Sequence, residues 1–223
     1  MSQKYLGALC AALAFAAFVP VAQATSIDDF SLSQGPLVST GNVLVSHTIA
    51  NDGSFYGGAG ATRTVSVRGD GTGSPTSQST RVEIDSGVFE FASGVGVAGV
   101  GTITYDLPGG VDLSWLDAFR FVDLTADHSF DYTVTLEDTM AGSRMIAGTL
   151  VGPLTNSLRR LPIADFIGGA DMTAIDRMIF SLGTGGQSLD FSLSAISGVP
   201  VPVGGLLLVT ALGGLGLYRM RRI

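Results

Sequence analysis

An all-β fold, built as a single β-sandwich, is what this sequence predicts, and three observations predict it. Between Thr25 and Gly198, short runs alternate apolar and polar residues, so that each run buries one face and wets the other. The runs are separated by clusters of Gly, Asp, Asn, Ser and Pro, the residues that turn or break a chain. Helical spacing is scarce in the same segment.

Taken in order, the first expected strand is Asp29 to Ser33, followed by Val43 to Ile49. Asp52 with Gly53 then supplies a turn, because both residue types tolerate the left-handed backbone of tight turns. Thr62 to Arg68 follows, and Asp70 with Gly71 punctuates again before Arg81 to Asp85 and Val88 to Ala92. Gly94 to Gly101 has glycine at every second or third position and reads as a loop entering the strand Gly101 to Leu107. Asp112 to Asp117 offers a small apolar face in Trp115 and Leu116, a helical turn ahead of Ala118 to Leu124. Alternation is clearest in Phe130 to Glu137, where Phe130, Tyr132, Val134 and Leu136 share one face and Asp131, Thr133, Thr135 and Glu137 the other. Arg144 to Val151 follows, then a second helical turn within Pro162 to Ile167, then Ile175 to Leu182 and Leu189 to Ile196. The run Asp29, Phe30, Ser31, Leu32, Ser33 recurs as Asp190, Phe191, Ser192, Leu193, Ser194. Pairing of the first and last strands would close the sandwich with its ends together, as in many jelly rolls.

The two ends differ from this middle. Met1 to Lys4 is a short positive start, Tyr5 to Val19 an apolar run, and Ala22 and Ala24 are small residues at the two positions a signal peptidase reads. A signal peptide over 1–24 with cleavage before Thr25 is the expectation, since an apolar run of 15 residues is short for a membrane span. At the other end, 199–223, a Val-Pro motif precedes an almost purely apolar run from Gly204 to Tyr218, closed by Arg219, Arg221 and Arg222. Counted from Val199 to Tyr218 the segment has 20 residues, enough for a transmembrane helix with the arginines holding its end on the cytoplasmic side and the domain facing outward. The expected β domain is therefore 25–198.

With both ends set aside, nineteen carboxylates face eight arginines and no lysine, eight minus nineteen giving a net charge of −11. Such a surface repels phosphate backbones, which excludes nucleic acid as a partner. The only cysteine, Cys10, lies inside the signal, so the domain has no disulfide or thiolate site. Its stability comes from burial alone.

The tail resembles the PEP-CTERM class of sorting signals, in its VPLPA-type variant, matching at Val199, Pro200 and Pro202 and in the terminal arginines. It departs at Val201, where leucine is usual, and at Val203, where alanine is usual. The resemblance implies an exosortase-like transpeptidase as partner, a Gram-negative host, transit through the membrane, and a final place at the cell surface or in an extracellular polysaccharide matrix. The middle resembles, diffusely, galactose-binding-like and carbohydrate-binding sandwiches seen with such tails, which implies a jelly-roll or galactose-binding-like fold.

No catalytic constellation stands out. His47 and His128 are far apart in sequence, and neither has a second histidine at ligand spacing. Asp123, Asp127 and Asp131, with His128, form the densest acidic cluster; they are candidate ligands for calcium, against the plainer reading of a solvated acidic turn. Asp28 and Asp29 joined to Asp190 are a second candidate set. Trp115, the sole tryptophan, is either a sugar-stacking platform or a core residue. Arg68, Gly69, Asp70 spell an adhesion tripeptide, but a hairpin tip needs the same residues. The resulting expectation is a non-enzymatic structural or binding protein with no required cofactor. Its alternatives are a carbohydrate-binding module with or without calcium, and a hydrolase using two aspartates.

Overall fold

The computed structural model describes residues 24–69, 79–184 and 188–201. Ala22, the Asp70-Gly71 turn, Pro202, the apolar tail, and Arg219, Arg221 and Arg222 lie outside the described residues. Thr25–Val199 forms one compact unit. Among the described residues no helix is long and apolar enough to cross a membrane.

The strands are β1 (Thr25–Asp28), β2 (Gln34–Thr40), β3 (Val45–Ala50), β4 (Thr62–Gly69), β5 (Ser79–Asp85), β6 (Val88–Ser93), β7 (Gly99–Val111) and β8 (Leu116–Ala126). They continue as β9 (Phe130–Asp138), β10 (Ser143–Leu150), β11 (Leu154–Pro162), β12 (Ile167–Gly168), β13 (Ile175–Thr184), β14 (Asp190–Leu193) and β15 (Ala195–Pro200). Two sheets result. The first has the order β1-β15-β8-β14-β6-β5-β2, with β11 also paired to β8, and the second the order β12-β10-β9-β13-β7-β4-β3. The described registers are antiparallel, for example β13 with β7 and β9. The β-sandwich expected from alternation is the observed architecture.

The inner faces follow the alternation. Val65 and Val67, Ile103 and Tyr105, Phe180 and Leu182, and Val134 and Leu136 point inward from the second sheet, and Val82, Ile84, Phe89, Phe91, Phe119 and Phe121 from the first. Fully burying side chains of this size contributes about 1.5–3 kcal/mol each. Aromatic rings organise the contact: Phe191 stacks on Phe91 at 5.0 Å and on Phe130 at 4.8 Å, while Phe180 meets Phe119 edge-on at 5.4 Å. Gly101 on β7 is what lets the sheets close there, since a Cβ would sit 3.0 Å from the Phe91 ring.

Several expected elements differ. Asp29 to Ser33 is not a strand: Phe30 has φ of 55°, and the chain turns there through an Asp28 carboxylate that accepts the Phe30 amide at 2.8 Å. The first strand is instead β1, and it pairs with the last, β15, through Thr25↔Gly198 and Ser26↔Ser197. The recurring pentapeptides therefore do not meet each other; β14 pairs with β6 and β8. Asp112 to Asp117 is an irregular turn, with Leu116 N–H donating to the Leu113 carbonyl at 3.0 Å, whereas Ile163–Asp165 does form one 3-10 turn. β2 and β11 were not expected. β2 opens on Gln34, Gly35 and Pro36, which reads as a turn, and β11 is an edge strand whose arginines obscure its alternation. β15 runs through Val199 and Pro200, two residues into the segment assigned to the tail.

Candidate functional site

One polar assembly lies inside the sandwich. Arg63 on β4 is fully buried, and its Nη1 pairs with Asp28 Oδ2 at 2.7 Å while its Nε donates to Gln34 Oε1 at 3.0 Å. Its Nη2 donates to the Leu32 carbonyl, and the Tyr105 hydroxyl donates to Asp28 Oδ2 at 2.6 Å. Burial pushes the Asp28 carboxyl above its ordinary range, against the opposing pull of Arg63 and the Tyr105 hydroxyl. Tyr105 is driven up further still, by burial and then by Asp28. Each polar atom named has a partner within the fold, and Asp28 and Gln34 belong to the first sheet while Arg63 and Tyr105 belong to the second. The assembly is a clamp between sheets. Its signal in the sequence was parity: Arg63 occupies the same face as Val65 and Val67.

The acidic candidates are dispersed by the fold. Asp123, at φ of 50° on β8, accepts the Ser194 hydroxyl at 3.0 Å. Asp127 accepts the Asp190 amide at 2.9 Å and lies 3.1 Å from His128 Nδ1. Asp131 is on the other sheet, where it accepts the Thr149 hydroxyl at 2.6 Å. Among the described residues no three His, Cys, Asp or Glu side chains converge as a metal site would require. Asp28 is turned into the clamp and Asp29 caps the exposed Ser31 amide at 3.0 Å, while Asp190 lines a cleft on the first sheet. That open cleft, about 570 Å3, is bordered by Glu90, Asp127, Leu154, Thr155 and Asp190. Burial, then the neighbouring Asp127, raises the Asp190 carboxyl above its usual value.

Trp115 is half-buried. Its Nε1 donates to the Asp112 carbonyl at 2.9 Å, and its ring lies 6.3 Å from Tyr56. It also roofs β15, because a Cβ on Gly198 would come within 2.7 Å of the indole. The indole thus holds the last strand in place. Arg68 bonds Asn42.

The outer face of the second sheet was not anticipated. Registers align Thr48, Thr64, Thr104, Ile179 and Thr135 in one row across β3, β4, β7, β13 and β9. The adjacent row is Ser46, Ser66, Thr102, Ser181 and Thr133. Nine of these ten positions carry a hydroxyl, and none carries a charge. The backbone positions that carry them are about 4.8 Å apart across strands and about 7 Å apart along them, over a breadth of about 19 Å. Some bond one another, Thr48 Oγ1 to Thr64 Oγ1 at 2.8 Å and Thr102 Oγ1 to Ser181 Oγ at 3.3 Å. One border is a charged row in which Arg177 bridges two carboxylates, Asp106 at 2.7 Å and Glu137 at 3.1 Å. Each strand read alone shows only a polar face; the continuous platform exists only once the registers are set.

No protein-family model and no curated protein sequence matches the chain. Among solved structures it is similar to the family 11 carbohydrate-binding module of a cellulosomal cellulase of Clostridium thermocellum, at 17% identity and a TM-score of 0.43, covering 81% of this chain and 96% of that one. It is also similar to a family 29 carbohydrate-binding module, at 12% identity and a TM-score of 0.35, over 70% of this chain and 88% of that one. An agarase is matched at 14% identity and a TM-score of 0.39, over 59% of this chain and 23% of that one.

Proposed function

We propose that this chain is an exported cell-surface or extracellular-matrix protein, delivered through a PEP-CTERM-like tail, whose sandwich acts by binding. The observation that supports this reading is the pairing of Thr25 with Gly198, which sets the first and last strands of the sandwich side by side. A signal peptidase cutting after Ala24 would make Thr25 the first residue of β1, which pairs with β15 in the folded domain. An exosortase-like enzyme acting near Pro200 to Pro202 would cut at or beyond the end of β15, and Trp115 and β1 pack on that strand upstream at Gly198. The hydroxyl platform gives the delivered domain a broad face for a partner.

The test is the intact mass of the protein recovered from its own cells. A chain starting at Thr25 and ending between Pro200 and Pro202 supports the reading. Retention of Arg222 and Ile223 would make it a single-pass anchored protein and overturn sorting by cleavage. Saturable turnover of a soluble substrate by the purified protein would overturn the binding role.

A further inference from the structure

We propose that the outer face of the second sheet binds a neutral polysaccharide chain laid across β4, β7, β13 and β9. This deepens the binding role proposed above and rests on it. Three features select that partner. Threonine presents a hydroxyl and a methyl group side by side, and Ile179 adds an apolar patch between Thr104 and Thr135 in the first row. A pyranose ring presents the same mixture, equatorial hydroxyls around an apolar C–H face, so both halves of the surface find a match. Each platform hydroxyl can donate and accept, which suits a polyol better than an ion.

Charge narrows the choice. A domain of net charge −11 repels anionic polymers, yet its platform is uncharged, and Arg177 at the border is already occupied by Asp106 and Glu137. A neutral glycan meets neither penalty. Shape narrows it again: neighbouring strands in a sheet rotate by roughly 20°, so a planar crystalline lattice loses register within a few strands. A glycan chain, jointed at every linkage, can follow the twist.

The experiment is affinity electrophoresis of the full chain in detergent through gels containing hydroxyethylcellulose, dextran or alginate. Retardation by at least one neutral polymer, with none by alginate, is expected. The triple variant Thr64→Val, Thr104→Val, Thr135→Val keeps β-branched shape and removes three hydroxyls, and its binding should weaken about tenfold or more. Glu90→Gln, in the cleft of the first sheet, should bind as the parent does. Far-ultraviolet dichroism and the melting temperature show that the triple variant is folded. Retardation by alginate alone, loss of binding in Glu90→Gln but not in the triple variant, or thermal hysteresis, the sign of binding to an ice lattice, without glycan binding would each overturn the proposal. So would a platform-dependent dimer seen by sedimentation with no glycan retardation. A chain of the processed mass that no glycan retards overturns this inference and leaves the delivery reading standing.

Discussion

The two sheets are alike inside and unlike outside. Both inner faces are lined with Phe, Val, Leu and Ile, because a core held without disulfides must bury apolar area on every strand. The outer face of the first sheet carries charge: Arg81 pairs with Glu83, Arg160 with Asp117, and Glu83 lies directly opposite Glu90. The outer face of the second carries hydroxyls in register. A solvated face needs only polarity to be compatible with folding, so a regular departure from a mixed, charged surface points to a partner.

The comparison can be broken most severely from within, at the clamp the sheets share. Arg63→Leu leaves Asp28 buried without its counter-ion and Gln34 Oε1 without its donor, and should destabilise the fold by about 3–5 kcal/mol in urea denaturation. Replacing Asp28 with Leu in the same chain should recover much of that loss, since an apolar pair leaves no orphaned charge. No recovery would mean the clamp contributes more than mutual compensation. Next comes Gly101→Ala, which drives a methyl toward Phe91 and Phe89 across the sheet interface. Overpacking of this kind costs about 1–3 kcal/mol, read as a lower urea midpoint with an unchanged slope.

Acid separates the clamp from the end of β9. Asp138, the last residue of β9, accepts the amides of Asp171 at 2.6 Å, Gly142 at 2.8 Å and Met140 at 2.9 Å, and these bonds hold its carboxyl below the usual range. A lowered value in the folded state gives stability that is present above the unfolded value and lost as pH falls through the folded one. Asp28 has the opposite sign: burial raises it, so its contribution is complete below the unfolded value and declines as pH rises through the folded one. As pH drops below about 4, amide exchange should therefore accelerate at Met140 and Gly142 before Phe30. Asp138→Asn should be less stable at neutral pH and show a flatter acid dependence. The smallest effect is expected at the exposed pair: Arg81→Ala should change stability by less than about 1 kcal/mol and leave glycan binding untouched.

Much of the fold was legible because its signals are local. Alternation in Phe130 to Glu137 identifies β9 and its two faces from neighbouring residues alone, and burial follows that parity closely. β2 is hidden because its opening Gly-Pro also spells a turn, and Asp29 to Ser33 reads as a strand because its apolar and polar residues alternate, whereas Phe30 adopts a left-handed backbone. The candidate site was far less legible. Asp123, Asp127 and Asp131 are close in sequence, yet the turn after β8 sends them to different partners on two sheets.

The sequence by itself determined the β class, the acidic lysine-free surface, the cysteine-free domain and the apolar ends, because each depends on composition or on residues within a few positions of one another. The tertiary structure alone decided which strands are neighbours. That choice set Thr25 against Gly198, drew Arg63 to an Asp28 thirty-five residues away, and aligned hydroxyls from five strands into one face. Strand order and register arise from the collective packing of both inner faces, and a one-residue slip of any strand would turn its hydroxyls inward. No single run of the chain carries that information.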